Sequence, residues 1–452
     1  MPEDQQDKLK LMINQYLLNL SNSLKNHWEL ECRFGTLKQK EGKIMRLDFD
    51  NVINKLTSLG FRTRNSPLIM LKISNDVEGR VNNDLKNIKT IITGINDIQN
   101  YCKTNMLINI ETNSVNDNVN FLRKERVVIN DKKINPIDYN NFHCRVDLQE
   151  EEILDDSDER VRDIITNWRD TKKIFRYITR YTFVHQDMPF KVDCSIVKSS
   201  KQGRNGLISE YQILESNIFN NDENYEIELE FNEIPLKMKL NIKNEDDLVY
   251  KIIMSLKRQI LIILMGLQKT NYPICYDEIE FVKSSYLKLI NNNVEQDFNK
   301  ELNVYDFIGP STVTLHKGNL LENYSSMINI RNDYTVTEKA DGIRKLLFIA
   351  RSGKVYFIDQ NMNIQFTGSQ VCSMDLLNTI CDGEHVITDK NNNYNNKFLI
   401  FDIYIYHNDN CKNMPLVKKR GIKDCRLDKM NDFIKKLNGN IGSVTGKDPT
   451  IE

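Results

Sequence analysis

Two short runs of alternating carboxylates, about two hundred residues apart, constrain this chain more than any other feature. Glu29-Leu30-Glu31-Cys32-Arg33 places two carboxylates and a guanidinium on one face of a strand, because side chains alternate along extended backbone. Tyr225-Glu226-Ile227-Glu228-Leu229-Glu230 does the same with three carboxylates. Leu30, Ile227 and Leu229 lie between them and are expected to face a core. Like charges two residues apart repel unless something cationic neutralises them. Two remedies stand: water and ordinary salt bridges, or a divalent metal held by carboxylate oxygens. Mg2+ or Mn2+ suits an oxygen-only site that leaves room for water and phosphate.

The segments between these runs carry the opposite charge. Lys124 and Arg126, Arg176 and Arg180, and Lys191 with Asp193 sit at even spacing, each pair on one face of its strand. A barrel with glutamates on one wall and Lys/Arg on the others would bind a polyphosphate through its metal. Solvent-facing salt bridges are the plainer reading of any one basic residue. Segments 29–35, 121–130, 142–148, 174–184, 190–197 and 225–231 all read as strands, so an antiparallel sheet or barrel is expected. The acidic stretch 150–159 and the segment 199–206 read as solvated loops.

At 452 residues the chain needs two or three cores. Helices are expected over 3–26, 48–59, 245–268 and 277–290, with a linker at 291–293. The most apolar window, Ile252 to Leu267, is interrupted by Lys257, Arg258 and Gln259, which excludes a membrane span there. A net charge of −1 provides no overall basic field, so any RNA contact must come from local Lys/Arg clusters. Nine cysteines without a C-x-x-C pair argue against structural zinc and against a disulfide framework. With no signal peptide, a reducing cytoplasmic or nuclear compartment is the simplest expectation.

The second constellation surrounds Lys339. Tyr334–Thr337 reads as a strand leading into Glu338-Lys339-Ala340-Asp341-Gly342-Ile343-Arg344, after which an apolar strand resumes. On spacing alone this is a solvated hairpin. As chemistry it is a nucleophile: an ε-amine attacks phosphorus only when deprotonated, so it needs cations nearby and desolvation. Arg344 could grip a phosphate or ribose, and Gly342 permits close approach of a ligand to the backbone. Two further elements follow in order: Thr379-Ile380-Cys381-Asp382-Gly383-Glu384, read as a strand end, and Phe398-Leu399-Ile400-Phe401-Asp402-Ile403, read as a buried strand. A two-stranded segment (354–359 and 363–367) lies between.

The first part of the chain, about residues 10–235, resembles the triphosphate tunnel metalloenzymes, specifically the RNA triphosphatase modules of fungal and large-DNA-virus capping enzymes. The resemblance rests on Glu-Leu-Glu-Cys-Arg-Phe-Gly near the start and Glu-Ile-Glu-Leu-Glu near the end, with weaker support from Arg-Tyr-Ile-Thr-Arg-Tyr-Thr-Phe and Lys-Val-Asp-Cys-Ser. It implies Glu29, Glu31, Glu228 and Glu230 as metal ligands or residues orienting the attacking water, with Glu226 as a further member. Ile178 departs from the pattern, since viral relatives often carry a third basic residue there.

Residues 305–452 resemble the covalent nucleotidyltransferases, the mRNA guanylyltransferases and polynucleotide ligases, through Thr-Glu-Lys-Ala-Asp-Gly and the two elements after it. The resemblance implies Lys339 as the nucleophile forming a lysyl-N-GMP from GTP, Arg344 and Glu384 contacting ribose or metal, and Phe401 stacking on the base. It also implies a later Lys-x-Lys pair and an OB-fold. Neither occurs among the 113 residues after Lys339, so a fragment of a longer polypeptide and an incomplete transferase both stand as readings.

The expected fold is therefore α+β. An N-terminal antiparallel β-barrel tunnel (residues 1–240) is followed by a helical connector (241–303) and a partial nucleotidyltransferase α/β domain of ligase-like type (304–452). The expected partners are a triphosphate RNA end, GTP and a cap methyltransferase domain or subunit, with no membrane. Two other functions stay open: an ATP-dependent ligase-type adenylyltransferase, and a chain in which only the triphosphatase turns over beside an inert, RNA-binding transferase.

Overall fold

The computed structural model describes residues 3–21, 27–35, 43–63, 66–76, 83–108, 115–204, 206–291, 303–321, 329–332 and 334–443. The chain forms two compact units that divide between Leu267 and Gln268. The expected connector, 241–303, is thereby divided between them.

Unit one is built on eight strands: β1 (His27–Phe34), β2 (Leu68–Asn75), β3 (Ile88–Thr93), β4 (Val119–Arg126), β5 (Cys144–Leu154), β6 (Lys173–Val184), β7 (Phe190–Ser199) and β8 (Glu223–Phe231). Their antiparallel order is β1-β8-β7-β6-β2-β3-β4-β5, and β5 pairs back onto β1, so the sheet closes into a barrel without a free edge. The register puts the two glutamate runs side by side, with Glu31 opposite Glu230 and Arg33 opposite Glu228.

Strand alternation separates two environments. The outward residues of β1 and β8 (Leu30, Cys32, Phe34, Ile227, Leu229, Phe231) are buried. Helix α1 (Glu3–Ser21) packs on β1 and α2 (Arg46–Ser58) on β8, and α3 (Glu245–Leu267) packs on both helices. The α2–α3 crossing is so close that a Cβ on Gly266 would fall 2.6 Å from Val52 Cα. Around the other half of the barrel, Leu71, Ile73, Ile88, Ile92, Phe121 and Phe175 form an outer core with Ile98 and Tyr101 of a helix at Ile95–Thr104.

Of the acidic stretch 150–159 expected as a loop, the first half is instead the end of β5, which runs to Leu154, while 155–158 form the expected turn before a helix at Glu159–Thr166. The β5 carboxylates have cross-strand cations: Glu151 lies opposite Lys124 and Glu152 opposite Arg123, at 3.1 Å in each pair. Such pairing stabilises a strand that local charge alone would leave in water. The first helix is described to Ser21 only, so its expected end at 26 lies outside the described residues, as do 292 and 293 of the expected linker.

Unit two centres on an antiparallel sheet whose main strands are β9 (Ile343–Ile349), β10 (Lys354–Asp359), β11 (Ile364–Val371), β12 (Thr379–Thr388) and β13 (Tyr394–Tyr406). Their order is β13-β12-β9-β10-β11. On one face Leu346, Phe348, Ile380 and Tyr404 pack with Val282 and Tyr286 of α4 (Tyr276–Ile290). On the other, Leu347, Ile349 and Phe398 pack with Phe433 and Leu437 of α5 (Arg426–Asn440). Among the described residues no helix is long and apolar enough to cross a membrane.

Candidate functional site

All five predicted glutamates (Glu29, Glu31, Glu226, Glu228, Glu230) line one cavity of about 970 Å3 inside the barrel. Each has a cation beside it. Arg33 Nη2 lies 2.6 Å from Glu31 Oε1 and its Nε 3.1 Å from Glu228 Oε1. Arg180 Nη2 donates to Glu228 Oε2 at 3.0 Å and Nη1 to Asp193 Oδ2 at 3.1 Å. Arg176 donates to Glu226 at 2.6 Å, Lys191 lies 2.9 Å from Glu230, and Lys124 is hydrogen-bonded to Glu29. Lys124, Arg176 and Arg180 line the cavity with the glutamates, as the even spacing required.

Arg126 does not. It shares the facing of Lys124 but lies at the exposed end of β4, where its Nη1 reaches Asn135 Oδ1 at 3.4 Å. Lys191 lines a neighbouring cavity and touches this one through Glu230. Ile178 faces inward and packs with Met70 and Val197 as an apolar patch on the inner wall.

The electrostatics of the glutamates are unequal. Burial pushes Glu31 up to about 7, with Glu29 and Glu228 adding to the effect against Lys124 and Arg33. Burial and the charge of Glu29 push Glu230 to about 7 against Lys191. Burial also acts to raise Glu29, but Lys124 outweighs it and holds that carboxyl below its usual range.

A divalent cation was expected here. As the side chains stand, no three acid, His or Cys groups among the described residues are close enough together to enclose one. The Lys and Arg ion pairs occupy the carboxylates instead. The donor set nevertheless fits a hard cation: every carboxylate is an oxygen donor, two are driven toward protonation by burial, and Glu31 Oε1 is buried without a hydrogen bond of proper geometry.

Lys72 was missed. It lies on β2, a strand with no charge alternation of its own, and faces the cavity opposite Arg176. Burial, then Arg180, Lys124 and Arg176, pull its ammonium below the usual range, with Glu228 opposing. Among the described residues it has no ion pair or hydrogen bond, unlike the other cavity cations named above. Only pairing between distant strands could have revealed it.

In unit two the predicted residues separate. Tyr334–Thr337 is exposed and outside any strand, so the expected strand before the lysine is absent and β9 begins only at Ile343. Lys339 is exposed, its Nζ donating to Ala340 O at 3.1 Å. The desolvation expected of a nucleophilic amine is therefore not present in this state. Gly342 is needed for a backbone approach, since a Cβ there would fall 2.6 Å from His385 O.

Arg344 is fully engaged within the fold. Its Nε and Nη2 donate to the two oxygens of Asp382 at 3.1 and 2.6 Å, and Nη1 donates to Pro310 O at 2.8 Å. The rings of Phe307 and Phe401 lie 5.3 and 5.9 Å from its guanidinium carbon. Glu384 sits across the β9–β12 pair from Arg344, half-buried, and Phe401 is 38% exposed. Asp382-Gly383-Glu384 lies inside β12 rather than at its end, and Gly383 leaves room for Phe398, whose Cζ a Cβ would approach to 2.6 Å. Asp382 has no role of its own in the sequence reading, where it belongs only to the expected strand end, yet it is the buried anchor of Arg344.

Comparison with known proteins finds a family match confined to the second unit. Residues 270–450 match the family model for the mRNA capping enzyme, catalytic domain. The chain is also 28% identical over 275 residues to the probable mRNA-capping enzyme of Acanthamoeba polyphaga mimivirus, an alignment covering 59% of this chain and 18% of that protein. The chain is thus similar in sequence to a probable mRNA-capping enzyme of viral origin, as its motifs implied. The mimivirus capping enzyme triphosphatase structure covers 58% of this chain and 98% of its own, with TM-score 0.36 and 15% identity. The S. pombe Pct1 RNA triphosphatase structure covers 57% and 92%, with TM-score 0.31 and 14% identity.

Proposed function

We propose that this chain works in mRNA 5′ capping, with the barrel removing the γ-phosphate of triphosphate-ended RNA and Lys339 transferring GMP from GTP. The observation that carries the reading is the convergence of five glutamates and their cations on one cavity inside a closed barrel. Glu29, Glu31, Glu228 and Glu230 would hold Mg2+ or Mn2+, with Glu226 at the edge of the set. When bound, the metal supplies an activated water and neutralises charge on the phosphoryl oxygens. Arg33 and Arg180 fix Glu228 from both sides, and Lys72, without an ion pair among the described residues, offers its ammonium to a phosphate.

In the second reaction the Lys339 amine attacks the α-phosphorus of GTP. A P–N bond forms, the P–O bond to pyrophosphate breaks, and the amine proton leaves to solvent. The diphosphate RNA end then displaces the lysine, so one hard transfer becomes two easier ones. Glu384 and Phe401 are the proposed contacts to ribose and base, and Arg344 must exchange its Pro310 contact to join them. A cap methyltransferase is the proposed partner, and host cytoplasm or virion the proposed location.

Phosphate release from triphosphate RNA tests the first activity, and Glu29→Ala or Glu230→Ala should abolish it; unchanged release would remove the assignment. GTP and ATP labelled at the α-phosphate, incubated separately, test the second, since only GTP should leave its labelled nucleotide, as GMP, on the protein. Retention of AMP instead would make it a ligase-type enzyme. The exposure of Lys339 favours a second reading in which only the barrel turns over, and absence of any adduct would select it.

A further inference from the structure

The inner wall of the barrel continues beyond Glu230. Arg62, on a two-residue strand Arg62–Thr63, pairs with Val184 at the end of β6, and Val184 has the facing of Arg180 and Thr182. On β7 the same alternation puts Lys191 opposite Glu230. Arg62, Val184, His185, Lys191, Asn232 and Glu233 help to line a second cavity of about 450 Å3, the size of a small-ligand site. Lys191 lines this space, and its ammonium lies 2.9 Å from Glu230 of the larger one.

The donors of this vestibule are set in place. His185 Nδ1 accepts from Asp187 N at 3.1 Å, so the neutral imidazole carries its proton on Nε2. The Phe61 ring, 5.1 Å away, packs against the imidazole. Arg62 and Lys191 add two cations, with Glu233 the acid among the lining residues.

We propose that this vestibule receives the first nucleotides of the RNA whose 5′ phosphates enter the larger cavity, an inference that rests on the triphosphatase reading. A triphosphate chain presents anionic oxygens only as far as its α-phosphorus. The nucleoside and the next phosphodiester must then lie beyond one mouth of the barrel. At this mouth an arginine and an N–H imidazole line a space that none of the five glutamates of the larger cavity lines, and charged and polar donors of that kind are what holds a nucleic-acid backbone. The vestibule thus distinguishes a polynucleotide from a bare polyphosphate.

The test uses the full chain carrying Arg62→Ala and His185→Ala together, with inorganic tripolyphosphate, GTP and a 5′-triphosphate pentaribonucleotide as substrates. The kcat/KM for the pentanucleotide should fall about ten-fold or more, the worth of one or two charge-assisted hydrogen bonds, with tripolyphosphate unaffected. Equal losses on all three substrates, or no loss on RNA, overturn the inference. Fluorescence anisotropy with labelled pentanucleotide gives a readout independent of turnover, made in a Glu29→Ala background. There the double variant should weaken RNA binding by a similar factor, and unweakened binding overturns the proposal. If the parent chain releases phosphate from none of the substrates, the triphosphatase reading fails and the anisotropy result alone decides the vestibule.

Discussion

Asp382 holds Arg344 at two points, 3.1 and 2.6 Å, from a position with no solvent exposure. Tyr404 completes the arrangement, its hydroxyl donating to the same carboxylate at 2.6 Å. Asp382→Ala would leave the part-buried guanidinium against Phe307 and Phe401 without its counter-charge. Removing one partner of a buried pair costs about 3–5 kcal/mol. Thermal unfolding should show that loss, and any GMP adduct should disappear with it. Tyr404→Phe removes a single hydrogen bond to a charged group and should cost about 1.5–3 kcal/mol.

Lys339 predicts the opposite balance. Its side chain is exposed and donates only to the neighbouring Ala340 carbonyl. Lys339→Arg should therefore leave Tm unchanged within error and abolish labelling by GTP, because a guanidinium stays protonated and cannot attack phosphorus. A Tm drop of several degrees would mean that the lysine is structural.

The barrel should show a pH response governed by Glu31 and Glu230. Both carboxyls are raised in the folded state to about 7, so the neutral form is favoured by folding. Their contribution is fully present below the ordinary glutamate range and is lost as pH rises through about 7. Glu29, held low by Lys124, acts the other way and weakens the fold only in acid, as pH falls through its depressed value. Metal-free protein in chelator should thus lose Tm between pH 5 and pH 8, and Mg2+ or Mn2+ should restore it at the upper end. Glu31→Gln should flatten the decline, and a metal-independent Tm profile would count against the site.

Lys72 separates stability from function. It lies among Arg176, Arg180 and Lys124 with no carboxylate partner among the described residues. Replacing it with Met removes a desolvated like charge and should leave Tm unchanged or raised. Phosphate release should fall about ten-fold or more, as one charged hydrogen bond to substrate is lost. Lys72→Arg should recover most of the loss in KM, whereas a fall in Tm without a change in release would make Lys72 a packing residue.

The alternation in Glu29–Glu31 and Glu226–Glu230 was readable because strand geometry is local: a period of two needs no partner to be seen. The same locality exposed Lys124, Arg176 and Arg180. It failed at Glu151, where charge density suggested a loop, because the cation that holds it belongs to another strand. It failed at Lys72, whose own strand reads Leu-Ile-Met-Leu-Lys-Ile-Ser-Asn and carries no second charge. It placed Arg126 inside the barrel because alternation specifies a face and not how far along the strand the cavity extends.

The chain's order alone thus determined that two segments carry glutamates on one strand face each and that a lysine motif precedes two strands of family-like pattern. Closure of the sheet decided the rest. Pairing β1 with both β5 and β8 brings Glu31, Arg33 and Glu228 within ion-pair distance from segments far apart in sequence. In unit two, the Asp382 pair and the Pro310 carbonyl decide that Arg344 is held inside the fold while Lys339 stands in solvent. Charge and periodicity are properties of a segment. Ion-pair partners, burial and the resulting proton affinities arise only when distant segments are packed against one another.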